Sequence, residues 1–135
     1  RMSEKHAKSK VENIKQGKTN IELQTIYTLT QEALQAFQDQ ASFDKIGRLL
    51  DQSWKYKKRL SEGVSQKWMD ELYQTAMLNG AYGGKLMGAG GGGFFFFLAP
   101  PNKHQRIRDA LRQIKVWVPF KIDNTGSQVI FHNGN

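Results

Sequence analysis

Eight of the chain's 13 glycines fall within positions 80–93, and four consecutive phenylalanines, Phe94 to Phe97, follow at once. A glycine inside regular structure costs roughly 0.5–1 kcal/mol relative to alanine, so such a cluster needs a physical reason. Two reasons are available: a tight bend with positive φ angles, or an approach to the main chain so close that no Cβ fits. Successive N–H groups in such a bend can converge on an anion, and Lys85, three residues before Gly88, would add a point charge. On these grounds alone, phosphate binding and a purely structural turn stand level.

Two familiar phosphate loops are excluded by what surrounds the glycines. Gly88, Gly90 and Gly93 satisfy G-x-G-x-x-G, but the phenylalanine run that follows is strand-like, whereas a dinucleotide-binding fingerprint opens a helix. A Walker A loop needs Ser or Thr after its Gly-Lys, and Gly84-Lys85 is followed by Leu86.

The glycines also divide the chain by texture. Before them everything reads as helix: a weak first stretch over Ser3 to Lys15, then Thr19 to Gln38 with Ile26, Leu29, Ala33, Leu34 and Phe37 on one face. Ser42 can cap a third helix carrying Phe43, Ile46, Leu50 and Trp54, which ends in the basic run Lys55 to Arg59 before Gly63. Ser65 starts a fourth, in which Trp68, Leu72 and Ala76 form one stripe beside Met69, Tyr73 and Met77, with Asn79-Gly80 as the stop. After the change, Lys85 to Gly88 reads as a strand, and Gly93 to Ala99 as a central strand covered on both faces, ended by Pro100-Pro101. A helix capped by Asn102 follows, with Ile107, Ala110, Leu111 and Ile114 on one side. Val116 to Ile122 and Gln128 to His132 read as a hairpin across Asp123 to Ser127. Helices first, then strand, strand, helix, strand, strand, predicts an α+β fold with helices packed on a mostly antiparallel sheet.

The length of 135 residues suits one domain with one core. Cysteine is absent, which excludes disulfides and thiol chemistry and points to the cytoplasm. The longest apolar run, Phe94 to Ala99, is too short to span a bilayer, so no membrane association is expected. The formal net charge of +8 calls for an anionic partner. Residues 1–80 carry 13 Lys or Arg against 10 Asp or Glu, and residues 81–135 carry 7 against 2, so the glycine half is purer in sign and poor in carboxylates for acid–base work. The chain opens on Arg1 directly into a charged helical pattern, which suggests a cut chain.

The full string Gly80-Ala81-Tyr82-Gly83-Gly84-Lys85-Leu86-Met87-Gly88-Ala89-Gly90-Gly91-Gly92-Gly93-Phe94 resembles the third motif of the GHMP kinases, with its K-x-x-G-A-G-x-G-G core matched throughout. Trp54, Lys57, Arg59, Leu60 and the helix Trp68 to Ala76 are similar, within that superfamily, to the bacterial D-glycero-D-manno-heptose 7-phosphate kinases. The resemblance covers roughly residues 45 to 132 and implies the C-terminal domain of a two-domain sugar kinase over the whole chain, 1–135. It implies ATP and a sugar phosphate as substrates, Mg²⁺ as the cofactor, and the chain's own N-terminal domain as partner. It places Lys85, Gly88, Ala89, Gly90, Gly91, Gly92 and Gly93 at a cleft for phosphates, with backbone N–H groups as the anion contacts. The second motif of such kinases, the catalytic aspartate and the magnesium ligand have no counterpart here, so no catalytic or metal-binding residue is expected in this chain.

Other candidates are weaker. His6, His104 and His132 lack metal-site spacing, and Trp54, Trp68 and Trp117 sit where core residues sit. Lys55 to Arg59 reads as a solvated helix end, and Arg106, Arg108 and Arg112 could meet a phosphate. A rival function is a basic α+β nucleic-acid-binding module without catalysis, and a third is a structural or dimerising domain. A homodimer is left open.

Overall fold

The computed structural model describes residues 2–88 and 92–119. Its elements, in order, are α1 (Met2–Lys15), α2 (Asn20–Gln38), α3 (Phe43–Arg59), α4 (Lys67–Leu78), β1 (Gly83–Leu86) and β2 (Phe95–Leu98). A 3-10 turn over Pro101–Lys103 then leads into α5 (His104–Ala110). The class is the expected α+β. β1 and β2 pair antiparallel, Gly83 opposite Leu98 and Leu86 opposite Phe95, and helices pack against them.

Helix ends follow local chemistry. α4 stops where expected: Gly80 takes φ +108°, Gly80 N–H donates to Met77 O and Ala81 N–H to Ala76 O, which closes a Schellman cap. α2 ends the same way on Gln40 at φ +53°, with Gln40 N–H on Phe37 O and Ala41 N–H on Ala36 O. The first helix is tied down by Asn13 Nδ2, which donates to Leu60 O at 3.0 Å.

The core lies where α4 meets the hairpin. Trp54, Val64, Met69, Tyr73 and Leu86 form one buried cluster, and Leu72, Ala76, Ala81, Ile107 and Leu111 form another. Phe95 and Phe97 touch both, since alternate residues of a strand share a face. A smaller cluster of Leu29, Ala36 and Leu49 joins α2 to α3.

Several expectations shift. The first strand lies two residues earlier than Lys85 to Gly88, because Gly88 at φ +92° cannot continue a strand and Gly83 and Gly84 lie flat in it. β2 is half-buried along its length rather than covered on both faces, and an open apolar cavity lined by Trp68, Phe94, Phe96, Val116, Trp117 and Val118 adjoins it. The buried stripe of α2 is centred on Leu29 and Ala36, leaving Leu34 and Phe37 outside because α3 crosses on the other side. Residues 114–119 take no regular structure. The remainder of the expected Val116 to Ile122 strand, and the Gln128 to His132 strand, lie outside the described residues.

Candidate functional site

The two reasons for glycine can be assigned position by position. A Cβ on Gly83 would stand 1.8 Å from Gly47 O, and one on Gly47 would stand 2.2 Å from Tyr82 Cβ. Paired glycines therefore let α3 and β1 touch backbone to backbone. Gly84 would strike the Phe97 ring, and Gly80 the stem of Lys103. Gly93, at φ +126°, would bring its Cβ to 2.8 Å from Met87 O. All of these serve packing. At Gly88 and Gly92, by contrast, an added Cβ meets nothing within 4 Å among the described residues. The loop's stem is closed by Met87 N–H donating to Phe94 O at 2.9 Å, with Gly93 packed against Met87 O, so Gly88 and Gly92 rise from a pinned base. Ala89, Gly90 and Gly91 lie outside the described residues.

Below the loop, the edge of β1 that faces away from β2 is satisfied by side chains. Tyr73, on α4, donates its hydroxyl proton to Asp51 Oδ1 at 2.8 Å and accepts Gly84 N–H at 3.2 Å. Burial first, then the bond to the Asp51 carboxylate, pushes its pKa up. One step further along the edge, Lys57 of α3 donates from Nζ to Leu86 O at 2.9 Å and to Gly88 O at 2.8 Å. Its ammonium also lies 5.9 Å from the centre of the Trp54 ring. Burial lowers the Lys57 pKa to about 8, with smaller pushes from the charges of Lys85 and Lys10. Lys85 is half-buried on β1 opposite Phe96. Among the described residues no carboxylate forms an ion pair with Lys57 or Lys85. The base of the loop therefore carries two cations without a counter-charge, a field that favours an anion in the open space beside Gly88 and Gly92.

The family profile described as GHMP kinases C terminal matches residues 30–115, a span that holds α3, α4, the hairpin and the loop. The chain belongs to this family. It is 37% identical over 112 residues to the D-glycero-alpha-D-manno-heptose 7-phosphate kinase of Campylobacter jejuni subsp. jejuni serotype O:2 (strain ATCC 700819 / NCTC 11168). That match covers 80% of this chain and 33% of the relative, so the chain spans about a third of the length of the curated kinase it resembles.

Within this GHMP kinase C-terminal domain, the other sequence candidates have local employment. Arg106 Nε donates to Asn79 Oδ1 at 3.1 Å, Arg108 stacks 5.4 Å from the Trp117 ring, and Arg112 Nε donates to Asp109 O at 3.1 Å. None is brought to the loop. His104 Nε2 lies 3.1 Å from Ala99 O. Trp54 is fully buried, but Trp68 and Trp117 are exposed on the rim of the apolar cavity rather than in the core. The basic run is not simply solvated: Lys55 pairs with Asp51, Lys58 with Asp70, and Arg59 stacks on Tyr56, while Lys57 enters the site. The site lists drawn from sequence omit Lys57. Its position three residues after the buried Trp54 puts it on the same helical face, and that spacing was the available clue.

Proposed function

We propose that this chain is the C-terminal part of a two-domain, ATP-dependent sugar kinase acting on a heptose 7-phosphate, and that residues 88–93 form one wall of its phosphate cleft. The observation that carries this reading is the pairing of open glycines at Gly88 and Gly92 with the uncompensated cations Lys57 and Lys85. Phosphoryl transfer depends mainly on positioning and on neutralising charge over the phosphate oxygens. Backbone N–H groups free of Cβ cover supply positioning, and the lysines supply a positive field.

Among the described residues no group of three or more His, Asp or Glu could hold a metal. The ligands of Mg²⁺, with the catalytic base, are assigned to the N-terminal domain. Membership of this kinase family and identity to a heptose 7-phosphate kinase support the substrate class. A cytoplasmic location goes with that substrate class. No described helix is long and apolar enough to cross a membrane.

The test is ³¹P NMR of the full-length protein with ATP, Mg²⁺ and D-glycero-D-manno-heptose 7-phosphate. The expected result is ADP formation that requires the heptose phosphate, and none from residues 1–135 alone. Heptose-independent ADP formation, or no transfer by the full-length protein, would sink the proposal.

A further inference from the structure

We propose that Lys57 is a positioning residue that holds the entry of the glycine-rich loop in its anion-receiving shape; the anion-receiving role rests on the kinase reading above.

Polar groups on the outer edge of β1 must find partners, and at Gly84 the neutral hydroxyl of Tyr73 accepts the N–H. A neutral donor would serve Leu86 equally well, at no cost in buried charge. Instead the site carries a half-buried ammonium that two other lysines repel. Lys57 differs from a neutral donor in reach: one Nζ binds Leu86 O, the last carbonyl of β1, and Gly88 O, two residues on in the bend. Leu86 O belongs to the peptide unit that joins Leu86 to Met87, and Gly88 O to the unit that follows Gly88; because each unit is planar, holding both fixes the planes that bracket the Met87–Gly88 step and sets the direction in which the chain enters the loop. The Met87 N–H bond to Phe94 O clamps the first of these units from its other side. An ammonium has three donors, and two are used here.

Among the described residues, the charges that face Lys57 come from β1, α1 and its own helix. Lys85 comes from β1 and Lys10 from α1, both lowering its pKa. On α3 itself, Lys58 is neutralised by Asp70 and Arg59 is turned onto Tyr56, with the Trp54 ring beneath. The folded pKa, about 8, lies below the ordinary 10.5. The unfolded chain therefore binds more protons between these values, and this group's unfavourable contribution to stability is greatest below pH 8 and lifts as pH rises toward 10.5. Loop anchoring runs the other way, because the neutral amine loses the charge assistance of both bonds.

The test uses the full-length protein as wild type, Lys57→Arg and Lys57→Met. The first readout needs no ligand: ¹³C-detected carbonyl shifts of Leu86 and Gly88 followed from pH 6 to pH 11. Both carbonyls are expected to titrate together in wild type with a midpoint near 8, and in neither variant. The second readout is ATP turnover. Lys57→Met should raise the KM for ATP by about ten- to a hundredfold, as expected for two lost charge-assisted bonds. Lys57→Arg, which stays charged above pH 12, should recover most of the affinity and lack the alkaline fall near pH 8. Carbonyls that do not titrate together, or a Lys57→Met protein with wild-type carbonyl shifts and KM, would overturn the proposal. Joint titration without any ATP turnover would instead sink the kinase reading and leave the positioning role standing.

Discussion

A methyl group at Gly83 has nowhere to go, since it would lie 1.8 Å from the carbonyl oxygen of Gly47, and both partners are main chain. Gly83→Ala is expected to cost about 3 kcal/mol or more, or to prevent folding, because neither α3 nor β1 can retreat without opening the core. Gly92→Ala should leave the melting temperature within about a degree or two of wild type, as its methyl meets nothing within 4 Å among the described residues. If phosphate approaches the main chain at Gly92, the same variant should weaken ATP binding. Thermal melts and ATP titrations on both variants separate structural from ligand-facing glycines, and equal destabilisation by the two would contradict the assignment. Sequence spacing could mark the cluster but could not sort it. Which glycine meets Gly47 and which meets solvent depends on how α3 crosses β1, a long-range fact with no local trace.

Among the described residues the outer edge of β1 is held by side chains, which makes Tyr73 a structural strap. Tyr73→Phe leaves Gly84 N–H buried without its partner and should cost about 1–3 kcal/mol in chemical denaturation at pH 7. The folded pKa of Tyr73 is raised above the ordinary 10, so its contribution is fully present below pH 10 and is lost as pH rises past that value. The stability gap between wild type and Tyr73→Phe should therefore narrow above pH 10; a gap constant to pH 11 would show that the phenol does not act this way. Elements were legible because periodicity and punctuation agree in α3, α4 and the Asn79-Gly80 stop. Faces were less so. Apolar residues ring most of α2, and only the crossing of α3 decides that Leu29 and Ala36 go inside while Phe37 stays out. The start of β1 was missed because two glycines read as loop, although here their small size is what lets the strand lie against a helix.

Across the whole molecule, the family was readable from one string because the motif combines two demands, close packing and open approach, that few loops share. The described residues contribute a pinned loop, an anchoring lysine and an excess of positive charge. The carboxylates that phosphoryl transfer requires are not gathered among them. The excess of 7 Lys or Arg over 2 Asp or Glu in residues 81–135 matches a wall that attracts phosphate and leaves the chemistry to groups outside it. The central claim is that the glycine-rich loop meets phosphate, and its most direct test is a titration of the ¹⁵N-labelled full-length protein with ATP, followed by amide shifts. The account predicts saturable shifts at Gly88, Gly92 and Gly93, with those of α2 unmoved. Saturable binding of ATP that leaves the three glycine amides where they were would contradict it.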